Sequence, residues 1–192
     1  MRGQYYYLYL FVDVFSRKAV GAEVQAEASM EHSSRRINTI CHAEGIEPHQ
    51  VSVHADHGGP MKGAPTFSRP SVSNDNPFSA SLVWTLKYGP LYPTTPFASL
   101  DAARAWVATC MQWYNDEYWH SGLRVTTPAS RHAGTDTVIL HNRDRVYQAA
   151  QRTHPSRWSG ATRNWTRIAC GTLNGLNEGV RSVSMANHRI TH

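Results

Sequence analysis

The run Tyr5-Tyr-Tyr-Leu-Tyr-Leu-Phe-Val12 constrains this chain more than any other stretch, because it lacks a polar face. A half-exposed strand alternates apolar and polar residues; this one does not, and it reads as a strand covered on both sides. Its density of aromatic and β-branched residues favours extended backbone. The chain then turns at Ser16-Arg17-Lys18, and Ala19-Val-Gly-Ala-Glu-Val-Gln25 alternates as the return strand of a hairpin. Covering such a strand demands a core, and 192 residues with 41% hydrophobic content are enough for one domain that has one.

Ser29 is placed to cap a helix running to about Glu44, with Gly45 as its stop and Met30, Ile37, Ile40 and Cys41 as a thin apolar stripe. Val51-Ser-Val-His54 reads as a short strand that delivers Asp56 at its end. Residues 58–76 hold Pro60, Pro65 and Pro70 and no helical period, an improbably long loop for a compact domain. Asn76 and Pro77 suit the cap and first turn of a helix to Lys87. Ser99 opens a stronger helix with Leu100, Ala103, Val107, Cys110 and Tyr114 on one face. A further helix is expected over residues 137–152. From Pro155 the chain reads as loop or strand rich in Arg and Trp, and residues 174–192, without an apolar pattern, read as a loose tail.

Lys and Arg outnumber Asp and Glu by 19 to 14, a net charge of +5. That mild excess favours a polyanionic partner. Cys41, Cys110 and Cys170 form no CxxC pair and suit reduced thiols of a cytoplasmic protein rather than a disulfide framework or zinc site. The longest apolar run, Tyr5 to Val14, is too short to span a membrane and contains Asp13. No export signal follows Met1, so a cytoplasmic location is expected.

His54-Ala-Asp56-His-Gly-Gly59, followed by Ser73-Asn-Asp-Asn-Pro-Phe-Ser-Ala-Ser-Leu82, resembles the catalytic core of insertion-sequence transposases with a retroviral-integrase-type core. Tyr7 to Gly21 is similar to that family's second and third strands. Trp113-Tyr-Asn115, His120-Ser-Gly-Leu-Arg124 and Thr127-Pro-Ala129 resemble its post-catalytic helix and following turn. Arg157-Trp-Ser-Gly160 with Thr162-Arg-Asn-Trp165 is similar to the C-terminal segment of one subgroup. The resemblance covers roughly Gln4 to Leu173.

It implies an α/β, ribonuclease-H-like fold with a mixed sheet, and DNA integration by phosphoryl transfer. In the family, two aspartates and a glutamate hold two divalent cations, Mg2+ or Mn2+. A pair of metals about 3.5–4 Å apart stabilises both the attacking and the leaving oxygen. Carried onto this chain, Asp56 is the catalytic and metal-ligating aspartate, and Ala80 stands at the glutamate position. The first aspartate belongs to a strand ahead of Arg2-Gly3-Gln4, and a crossover helix between Met61-Lys-Gly-Ala64 and Phe67-Ser-Arg-Pro70 reads as deleted.

The expectation is therefore an incomplete catalytic core over 1–130, a C-terminal helix with an Arg/Trp-rich segment over 131–173, and a tail over 174–192. Without the strand that normally joins the hairpin to the Asp56 strand, the sheet is expected to be split or poorly ordered. With one carboxylate of three, the copy is expected to be catalytically defective and not to retain metal. The implied partners are DNA (insertion-sequence ends and target) and a homo-oligomer or a hetero-oligomer with an intact transposase. A non-catalytic DNA- or transposase-binding fragment and a translated pseudogene are the competing readings.

Asp13 reads as a turn residue or a salt-bridge partner of Arg17. His54 and His57 flank Asp56 but lack the further ligands of a transition-metal site. Asn74, Asp75 and Asn76 are first of all helix caps. Ala80, Trp84 and Lys87 fall on one helix face, making Lys87 a candidate phosphate contact or a solvated lysine. Arg152, Arg157, Trp158, Arg163, Trp165 and Arg167 interleave cations with aromatics, which suits phosphate pairing and stacking on DNA. A small tryptophan-filled core ringed by arginines would produce the same string.

Overall fold

A computed structural model describes residues 5–47, 50–55, 66–67, 77–169 and 181–190. The chain forms a mixed α/β fold. Strand β1 (Tyr6–Asp13) and strand β2 (Ala19–Gln25) make the expected hairpin, antiparallel from Tyr7 opposite Gln25 to Val12 opposite Ala19. Tyr6, Leu8, Leu10 and Val12 point to one face of the sheet and Tyr9 and Phe11 to the other, all buried. This is why the run has no polar face: successive side chains alternate between two cores.

Helix α1 (Met30–Ala43) covers the second face with Ile37 and Ile40, joined there by Val53, Val183 and Met185. The N–H of Glu31 donates to Ser29 Oγ at 3.1 Å, and Gly45 follows the helix at φ +63°, so cap and stop lie where their residue types place them. Helix α2 (Pro77–Tyr88) and helix α3 (Leu100–Asp116) cover the first face. Ser99 caps α3 by accepting from the Ala102 N–H at 3.1 Å, and Ala103, Val107, Cys110 and Tyr114 are the buried stripe. Helix α4 (Pro128–His132) and helix α5 (Asp136–Thr153) complete the helical part.

Strand β3 (Val51–Ala55) ends at the residue before Asp56 and pairs in parallel with the two-residue strand β4 (Thr66–Phe67). The expected split of the sheet is overturned by β5 (Arg181–Ile190), the stretch read from sequence as part of a loose tail. It enters between the hairpin and β3, giving one five-stranded sheet in the order β2-β1-β5-β3-β4. It runs antiparallel to all of β1, from Tyr6 opposite Ile190 to Asp13 opposite Val183. It runs parallel to β3, from Val51 opposite Arg181 to Ala55 opposite Met185. Its two open backbone edges are both satisfied by long-range partners, which a local sequence pattern does not register. Among the described residues no helix is long and apolar enough to cross a membrane.

Candidate nucleic-acid interface

Helix α2 lies along β1 and β5 with Leu82 and Leu86 in the core. Along its outer side Ala80, Trp84 and Lys87 are all exposed, the face that their i, i+4, i+7 spacing defines. Trp84 is 65% exposed and Tyr88 63%, and their rings lie 4.8 Å apart. The Lys87 ammonium stands 5.6 Å from the Tyr88 ring centroid. Two large aromatics with a cation beside them are left on the surface, at a cost in exposed apolar area that packing does not explain. His188, on β5, is held below the ordinary histidine pKa by burial and by the charge of Lys87, so it adds no charge to this face near neutral pH.

Asp56, His57, Asn74, Asp75 and Asn76 lie outside the described residues. His54 is buried in β3. Ala80 lies exposed in the first turn of α2. Among the described residues no three His, Cys, Asp or Glu side chains converge on a point that could hold a metal ion.

The Arg/Trp segment divides into two roles. Trp165 is only 7% exposed, edge-on to Tyr147 at 5.1 Å, with the guanidinium groups of Arg143 and Arg163 over its ring at 5.5 and 5.1 Å. It packs in the interior, the arrangement of a small tryptophan-filled core ringed by arginines. Arg167 is also committed: its Nε donates to both oxygens of Asp136, at 3.1 and 2.9 Å. Asp136 in turn holds Arg131 at 3.2 Å, with side chains 0% and 2% exposed. Arg131 Nε donates to the Phe15 carbonyl at 3.1 Å, and its guanidinium sits 4.3 Å from the Phe15 ring. Arg167 thus ties the C-terminal segment to α5 and, over the Phe15 ring, to the hairpin turn. Arg157 and Arg163 remain exposed.

Two further arrangements join distant parts of the chain. Asp13 receives N–H bonds from Phe15 and Ser16 at 3.4 and 3.0 Å and a bond from the Ser16 hydroxyl, the turn role expected for it. Its ionic partner is His132, at 3.5 Å, rather than Arg17, whose guanidinium lies over Phe78. The other nitrogen of His132 reaches Glu44 at 2.8 Å, and Glu44 also meets Lys18 at 3.4 Å. The hydrogen bond to Asp13 raises the His132 pKa, burial opposes it, and Glu44 adds to the rise; the net shift is upward. In the second arrangement, Arg124 and Val125 both have left-handed backbone, at φ 58° and 63°. For a β-branched residue that is an outlier. Both carbonyls accept from Arg143 Nη1, at 3.0 and 2.7 Å, which holds the turn.

The geometry defines one five-stranded sheet with helices on both faces and an aromatic, basic helix face over residues 77–88. The model of the integrase core domain family matches residues 62–128, a stretch that contains α2, α3 and the Arg124–Val125 turn. Over this stretch the chain is similar to the integrase core domain family. No curated protein and no solved structure is matched by the chain.

Proposed function

We propose that this chain is a DNA-binding protein of the transposase/integrase class in which strand transfer has been lost. The observation that carries the reading is α2. It lies within the stretch matched to the integrase core domain and presents Ala80, Trp84 and Lys87 on one exposed face. A cation beside two exposed rings suits phosphate neutralisation together with stacking on bases or sugars. On the same face, the methyl of Ala80 supplies no oxygen to a divalent ion, so the clamp that phosphoryl transfer needs is not assembled from this helix. Exposed Arg157 and Arg163 extend the basic character beyond the matched stretch.

The DNA contact in this reading is mainly to phosphate. Binding is sequence-tolerant and falls steeply with salt, since each neutralised phosphate releases a counterion. The test is a fluorescence-anisotropy titration of a duplex carrying insertion-sequence ends at several salt concentrations, run beside a Mg2+ or Mn2+ nicking assay. Salt-steep binding without nicking is expected. Metal-dependent nicking abolished by Asp56→Ala would overturn the loss of chemistry, and no binding at low salt would overturn the DNA reading.

A further inference from the structure

β5 closes the sheet from the far end of the chain. It is the last described element, and it fills a slot with two receptor edges, β1 on one side and β3 on the other. Central strands covered on both faces usually read as near-continuous apolar runs. β5 does not: Arg181-Ser-Val-Ser-Met-Ala-Asn-His-Arg-Ile190 has only four large or small apolar residues, Val183, Met185, Ala186 and Ile190. Val183 and Met185 enter the core under α1, and Ile190 enters the core under α2 and α3. The main-chain ladder to β1 and β3 runs the length of the strand beside these contacts. Backbone bonds for affinity and a few alternate side-chain pockets for register are how an extended peptide adds to a sheet.

From this we infer that the slot between β1 and β3 is a strand-acceptor site whose occupant is exchangeable, and that its partner is the 181–190 segment of a second copy of this chain. The same ladder and the same pockets form whichever copy supplies the strand, so a swapped pair differs from two closed monomers only at the connection. Without a strand the slot exposes two unpaired edges in one apolar surface, which favours capture of any in-register segment over vacancy. The tether sets the balance. A strand linked to its own slot competes at an effective concentration on the order of millimolar, so closed monomers dominate in dilute solution and swapped pairs grow with concentration during refolding.

Tyr7 and Arg189 provide the test, because they are register partners near the end of the ladder, with the guanidinium 5.6 Å from the ring. Opposed residues of an antiparallel pair are within disulfide reach. The full chain carrying both Tyr7→Cys and Arg189→Cys, refolded dilute and oxidised, is expected to form the 7–189 link within one chain, identified by mass spectrometry of the linked peptide. Full chains carrying Tyr7→Cys alone and Arg189→Cys alone are then refolded together at high concentration. The expected product is a covalent heterodimer linked 7–189, increasing with concentration and absent when the two folded proteins are simply mixed. An intrachain link in the double variant with no 7–189 heterodimer at any refolding concentration would overturn exchange. Absence of the link in both experiments would overturn the slot itself.

Discussion

His132 holds one ring nitrogen toward Asp13 and Ser16 and the other toward Glu44, joining the hairpin turn, the end of α1 and α4 at a single side chain. Its pKa is raised by these carboxylates, while Asp13 and Glu44 lie below their usual range because the bonds from His132, Ser16 and Lys18 outweigh burial. The signs then fix the pH window. The histidine contribution is full below its unfolded pKa of 6.5 and fades as pH rises through the higher folded value. The carboxylate contributions are present above the unfolded values of 3.8 and 4.5 and fade as pH falls through the lower folded ones. The contribution of this cluster to thermal stability should therefore be greatest between roughly pH 4.5 and 6.5 and decline above it. In His132→Gln the decline on the alkaline side should flatten, and an unchanged slope there would remove His132 as its source. Asp136→Asn strips the counter-charge from buried Arg131 and should cost about 3–5 kcal/mol in urea unfolding. A loss below about 1 kcal/mol would mean that water reaches the pair.

Elements carry the next two expectations. β5 donates and accepts on both sides, so Met185→Pro removes a ladder donor and fits the central strand badly. A loss on the order of 3 kcal/mol is expected from denaturant midpoints, with the CD signal of α3 and α5 retained in any folded remainder. The basic side chains should separate by role. Lys87→Ala, Arg157→Ala and Arg163→Ala should leave the melting temperature within a degree or two, on the order of 0.5 kcal/mol, and lower the log–log salt slope of DNA binding by about one unit for each phosphate lost. Arg167→Ala should do the reverse, destabilising through Asp136 and Phe15 with no specific change of slope. A salt slope that drops for Arg167→Ala and not for Lys87→Ala would transfer the interface to the C-terminal segment.

At the scale of the whole molecule, the inserted strand joins what would otherwise be a hairpin with its helices and a separate β3–β4 pair. A single cooperative unfolding transition is expected, with β1 amides protected to the global level because both of their edges are paired. An early transition confined to residues 5–25, read by hydrogen exchange, would show that β5 does not bind the sheet together in solution. The hairpin, α1, β3, α3 and α5 were legible in the sequence. Their signals are local: Tyr5–Val12 without a polar face, the Ser29 and Ser99 caps, the stripe from Ala103 to Tyr114. The outer face of α2 was legible too, since helical spacing alone places Ala80, Trp84 and Lys87 together. The tertiary structure decided the remainder. It buried Trp165 and bound Arg167 to Asp136, although composition alone fits an interface as well as a core. It gave Asp13 a histidine partner from α4, and it drew a polar ten-residue segment into the middle of the sheet. These outcomes depend on backbone edges and charges brought together from distant parts of the chain, and pairing of that kind leaves no periodicity in either partner's own sequence.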